Sequence, residues 1–179
     1  MLVDDNQLLA HMLTALLHRF IPTVAVRTYT SSREASNQLG ATRLAVLVTD
    51  IEMPEIDGLQ LLRHAREHVP ETTIVVMSGR LDASILLTAL QAGAFDVLTK
   101  PLNCESFPST VQEALRVHRL ARLAKATRWQ LTRSSTPRTT SRDSSHRSEM
   151  LQLKLLQRES ELKRAYAEAA QRAYQRLSR

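Results

Sequence analysis

Leu44-Ala45-Val46-Leu47-Val48-Thr49-Asp50-Ile51-Glu52-Met53-Pro54-Glu55-Ile56-Asp57-Gly58 runs from an unbroken apolar stretch into a cluster of acids. The first six residues have the composition of a strand buried on both faces. Leu59, Leu61, Leu62 and Ala65 then repeat at helical spacing, and Pro70 ends the pattern. A buried strand that delivers an acid at its end and feeds a helix is half of a βαβ unit.

The same alternation extends outward in both directions. Apolar runs recur at Met1–Val3, Val24–Tyr29, Thr73–Ser78 and Ala94–Thr99. Between them lie helical faces: Leu8, Leu9, Met12, Leu13, Leu16, Leu17 and Phe20; a weaker one over Ser32–Leu39; and Ile85, Leu86, Ala89 and Leu90, closed by Gly93. Five strands and five helices at this spacing predict an α/β, flavodoxin-like (βα)5 fold. This is a doubly wound parallel sheet, whose ligand sites lie at the carboxyl ends of the strands.

The chain has 179 residues, 43% hydrophobic, 23% charged and 4% aromatic, with a net charge of +6. That charge is unevenly spread. Residues 1–107 carry eight Lys and Arg against twelve Asp and Glu; residues 108–179 carry sixteen against six. The basic character belongs to the tail. No apolar run reaches the roughly 18–20 residues a bilayer crossing needs, and no secretory signal pattern opens the chain. The single cysteine, Cys104, can form no internal disulfide. A cytoplasmic protein without a membrane partner is the expectation.

Past Ser106 the pattern changes. Val111, Leu115, Val117, Leu120, Leu123 and Ala124 continue helically toward Leu131, with Arg116, Arg119, Arg122, Lys125 and Arg128 between them. Thr132–Ser148 is mostly Ser, Thr and Arg and reads as a flexible basic linker. Glu149–Arg179 has neither Gly nor Pro and carries a stripe of Leu155, Leu162, Tyr166, Ala169, Ala173 and Leu177. A single helix of that length would span about 45 Å and would need a partner helix. The expected divisions are 1–122, a first domain; 123–148, helix end and linker; and 149–179, a C-terminal helix suited to a coiled coil.

Chemistry gathers where the strands end. Asp4 and Asp5 follow the first strand, Asp50 the third and Lys100 the fifth, while Ser78 closes the fourth. A carboxylate at a strand end is commonly just a helix cap. Three on one rim repel one another unless a cation neutralises them, and an all-oxygen donor set favours Mg²⁺. Such a pocket suits a substrate that carries phosphate.

These residues resemble the receiver domain of two-component response regulators. The resemblance rests on Val3-Asp4-Asp5-Asn6, on Val48 through Gly58, on Met77-Ser78-Gly79, and on Gly93 through Lys100-Pro101. It implies that Asp50 accepts a phosphoryl group from a histidine kinase or phosphotransfer protein. It further implies that Asp5, Asp50 and the Glu52 backbone carbonyl hold Mg²⁺, with Asp4 acting through water. Ser78 and Lys100 would bind the phosphoryl oxygens, and Pro101 would follow a cis peptide bond. Two departures stand out. Val97 sits where the family carries a switch aromatic, and Phe95 is displaced from that position. The first strand is also short, so a chain that starts late is the expectation.

The function expected is thus a phosphorelay response regulator that changes partner or dimer contacts, a switch rather than an enzyme with a diffusible product. Two other readings compete: a non-cycling scaffold dimerising through its C-terminal helix, and nucleic-acid binding through the basic tail. A free-standing Mg²⁺ phosphohydrolase lacks a visible substrate loop. His64 and His68, four apart on one helix, read as a solvated face.

Overall fold

The computed structural model describes residues 1–41, 43–80, 82–134 and 142–177. Five parallel strands form one sheet: β1 (Leu2–Val3), β2 (Thr28–Tyr29), β3 (Val46–Asp50), β4 (Thr73–Ser78) and β5 (Asp96–Thr99), in the order β2-β1-β3-β4-β5. The helices between them are α1 (Gln7–Phe20), α2 (Ser32–Asn37), α3 (Gly58–His68) and α4 (Ala83–Gln91). Two long helices follow, α5 (Ser106–Ser134) and α6 (Arg142–Leu177). The expected flavodoxin-like architecture is present.

Side chains alternate across the sheet, as the pleat requires. Val75 and Met77 of β4 pack toward α1 and α5, whereas Ile74 and Val76 pack toward α2, α3 and α4. Leu13, Leu17, Phe107 and Val111 fill the first layer; Leu61, Leu62, Leu86 and Ala89 fill the second. Each fully buried Leu, Val or Phe stabilises the fold by about 1.5–3 kcal/mol relative to exposure. The central strands are therefore a fixed platform for whatever their ends carry.

The second strand is shorter than its apolar run predicts. Val24 and Val26 pack on the core, but only Thr28 and Tyr29 are strand. Their partner β1 is two residues long, so the parallel ladder has no more backbone to pair with.

The tail differs most from expectation. Residues 142–148, expected in the linker, are the first turns of α6; residues 135–141 of that linker lie outside the described residues. α6 folds back along α5 and on over the end of the sheet. Its stripe does have a helical partner, but the partner is this chain: Ala165 and Ala169 join the α1–α5 layer, and Ala173 joins the α2–α4 layer. α6 thus passes across β5 from one face of the sheet to the other. Phe95 and Tyr166 meet edge to face, with ring centroids 5.2 Å apart at 87°.

Candidate functional site

The break in strand order lies between β1 and β3, and the acids flank it. Helix capping does not account for them. Asn6 caps α1, Asp57 caps α3 in a reciprocal box with Gln60, and Asp82 caps α4. Asp4, Asp5 and Asp50 cap none of these, and each offers an oxygen within 4.8 Å of the others. Asp4 and Asp50 are buried; Asp5 is exposed.

Lys100 reaches in from the end of β5, its ammonium 2.8 Å from Asp4 Oδ2 and 2.8 Å from Asp50 Oδ2. Its backbone N–H donates to the Ser78 carbonyl at 2.8 Å, which ties the ends of β4 and β5 together. The Lys100–Pro101 peptide is cis, as the resemblance implied. Ser78 is fully buried, and its Oγ accepts the Arg80 N–H at 3.1 Å. Glu52 is exposed and its carboxylate accepts the Gly79 N–H at 3.2 Å, so its side chain spans from the β3 loop to the β4 loop.

One ammonium for two buried carboxylates leaves the pocket short of positive charge. Burial raises the Asp50 carboxyl above its ordinary range despite the Lys100 bond, and the Asp4 charge adds to the rise. Burial alone would lower Lys100, but its bonds to Asp4 and Asp50 outweigh that and hold it above the usual lysine value. Three convergent carboxylates of this kind fit a hard divalent cation such as Mg²⁺.

The loop that carries this chemistry is held by Ser32, which gave no signal in the sequence, and by Glu55 and Gly58, which the sequence showed only as members of the motif. Ser32, at the start of α2, donates to the Pro54 carbonyl at 2.8 Å and accepts the Ile56 N–H at 3.2 Å. Glu55 takes a left-handed φ of 68° in the same loop. Gly58 has no room for a side chain: a Cβ there would sit 1.9 Å from the Asp50 carbonyl oxygen. Its place directly after the acidic loop was the available signal; Ser32 offered none.

His64 and His68 each place Nδ1 against a protein partner. Ser36 Oγ meets His64 Nδ1 at 3.0 Å, and His68 Nδ1 lies 2.8 Å from the His64 carbonyl. Among the described residues, the acid triad above is the group of His, Cys, Asp or Glu side chains that could share a metal.

A parallel sheet with this strand order, carrying acids at its switch point and a lysine from the last strand, defines a receiver-type signalling fold. Residues 1–112 match the response regulator receiver domain, and the chain belongs to that family. It is 31% identical over 137 residues to the C4-dicarboxylate transport transcriptional regulatory protein DctD of Pseudomonas aeruginosa, covering 73% of this chain and 29% of that protein. The response regulator protein TmoT of Ectopseudomonas mendocina is 28% identical, with 65% of this chain and 52% of that one covered. The chain therefore spans between about a third and a half of these relatives. Among solved structures, the beryllofluoride-activated NtrC4 receiver domain dimer superposes with a TM-score of 0.61 at 26% identity, covering 65% of this chain and 95% of that one. No helix among the described residues is long and apolar enough to cross a membrane.

Proposed function

We propose that this protein is a cytoplasmic phosphorelay switch in which Asp50 accepts a phosphoryl group from a histidine kinase or phosphotransfer protein. The observation that carries the reading is the Asp4–Asp50–Lys100 cluster, two buried carboxylates on one ammonium with Asp5 beside them. An Asp50 carboxylate oxygen attacks the phosphorus, the P–N bond of the donor phosphohistidine breaks, and the imidazole leaves with the electron pair. Asp4, Asp5, Asp50 and the Glu52 carbonyl would hold Mg²⁺, which supplies positive charge to the transferring group. Lys100 pairs with the new phosphoryl oxygens, and Ser78, one residue past the partner of Asp50 in the β3–β4 register, offers its hydroxyl to them.

Hydrolysis of the acyl phosphate resets the switch, so the chemistry acts on the protein itself rather than on a diffusible substrate. The scaffold reading loses support because the C-terminal stripe packs within the chain. The nucleic-acid reading rests on charge alone: Arg176 is committed to the buried Asp96, while Arg116, Lys125 and Arg128 pair only at the exposed surface, where such pairs are weak.

The test is incubation with acetyl phosphate. A magnesium-dependent acyl phosphate that hydroxylamine cleaves, absent from Asp50→Ala, is the expected result. An Asp50→Ala protein labelled as strongly as the wild type would refute the assignment.

A further inference from the structure

We infer that Arg176 is a positioning residue that couples the docking of α6 to the state of the acidic pocket, acting through β5; the coupling rests on the phosphoacceptor reading above. α6 lies across β5, with Ala165 and Ala169 on its α5 side and Ala173 on its α4 side, all 2% exposed or less. Small side chains let the helix approach closely, and Tyr166 adds its ring against Phe95. Near the end of the helix, Arg176 Nη1 donates to Asp96 Oδ1 at 2.6 Å and to the Val97 carbonyl at 2.7 Å. Asp96 is fully buried, so α6 brings the cation that balances it.

β5 connects this clamp to the pocket. Asp96 opens the strand, and Lys100 follows its last residue, about 13 Å away at strand rise. The ammonium of Lys100 is shared between Asp4 and Asp50 in the docked state. A phosphoryl group on Asp50 brings about −1.5 to −2 charges beside it. Lys100 then redistributes toward the new oxygens and pulls on the strand that Arg176 grips. Val97 is buried and aliphatic, with no ring to rotate; its carbonyl is what α6 holds. A two-point clamp with short bonds loses both when the strand shifts, so phosphorylation lifts α6 and bares the α4–β5 face. By linkage, the docking of α6 and the phosphorylation equilibrium of Asp50 shift each other by the same factor, and the acyl-phosphate lifetime reports separately whether the pocket geometry has changed.

Amide hydrogen exchange of residues 160–177 in the full chain tests this, with chelator, with Mg²⁺, and with Mg²⁺ plus acetyl phosphate. In the wild type the phosphodonor should speed exchange by about fivefold or more. Arg176→Gln should exchange fast under every condition and alter the acyl-phosphate lifetime several-fold, with Arg176→Lys intermediate. Ala169→Glu lifts the helix without removing the partner of Asp96, so it answers the case in which Arg176→Gln fails to fold. It should shift the lifetime in the same direction.

The coupling is overturned if acyl phosphate accumulates while α6 protection stays unchanged, or if every variant keeps the wild-type lifetime. Failure of the wild type to form acyl phosphate overturns the Asp50 assignment instead. The Mg²⁺ affinity then decides the coupling: a shift in Arg176→Gln and Ala169→Glu upholds it, and equal affinities overturn it.

Discussion

β5 carries a buried carboxylate–cation cluster at each end, and the two clusters respond differently to the same burial. At the carboxyl end Lys100 serves both Asp4 and Asp50, and exposed Asp5 and Glu52 stand around it. At the amino end Asp96 has a guanidinium to itself, brought from 80 residues along the chain. Burial raises both carboxyls, Asp50 and Asp96, above their ordinary range. The first cluster is short of positive charge and opens onto the exposed Asp5, which suits a site that receives something. The second is closed by its own helix, which suits a site that holds something.

That contrast can be broken by experiment. Lys100→Met leaves two buried carboxylates unpaired and should cost about 3 kcal/mol of unfolding free energy, most of it restored by Mg²⁺. Arg176→Gln should lose a similar amount, with much less of it restored by magnesium, because the carboxylate left unpaired is not one the metal binds. Denaturant titrations with and without the metal distinguish the two, and equal rescue of both would erase the difference between the two ends of β5.

Gly58→Ala probes the open end through its backbone. The new methyl group must displace the Asp50 carbonyl, so a loss of about 1–3 kcal/mol is expected together with slower phosphorylation. Unchanged stability and rate would mean that the loop yields freely.

The closed end has a pH test. Because folding raises the Asp96 carboxyl, the native state holds a proton that the unfolded chain has released across the interval between the two values. Stability from this group is full below the ordinary carboxylate value and is lost as pH rises through the folded one. Wild type should therefore gain stability over Asp96→Asn as the solution is acidified from neutrality. A flat difference between the two would contradict the raised carboxyl.

The smallest effect belongs to a pair in water. Lys125 and Glu71 form an exposed ion pair, and Lys125 holds Glu71 below its usual carboxylate value. Glu71→Gln should change stability by less than about 1 kcal/mol in a denaturant titration, because exposed pairs are screened. A larger loss would show that burial is the wrong axis for the comparison.

The open end of β5 was legible in the sequence and the closed end was not, for a physical reason. Each residue of the acidic pocket ends or follows a strand, and strand periodicity places strand ends without any knowledge of long-range packing. Asp4, Asp50, Ser78 and Lys100 could thus be brought together on paper. The Asp96–Arg176 pair depends on α6 folding back over the sheet, and nothing in the local pattern of either residue reports that. The Leu and Ala stripe of α6 showed that the helix has a partner but not that the partner lies in the same chain. Helical periodicity identifies a buried face and is silent about what buries it. Ser32 was missed on similar grounds, since its contacts with Pro54 and Ile56 join separate loops.

β5 is also the last strand of its sheet among the described residues, with β4 on one side and none of the other strands on the other. A strand in that place offers unpaired peptide groups to any extended segment that drifts past, and natural proteins shield such rims. The guanidinium on the Val97 carbonyl occupies one of those acceptors. A molecule whose helix has lifted carries an uncapped rim for as long as the lifted state lasts, which sets a colloidal limit on how long a switch of this build can stay on.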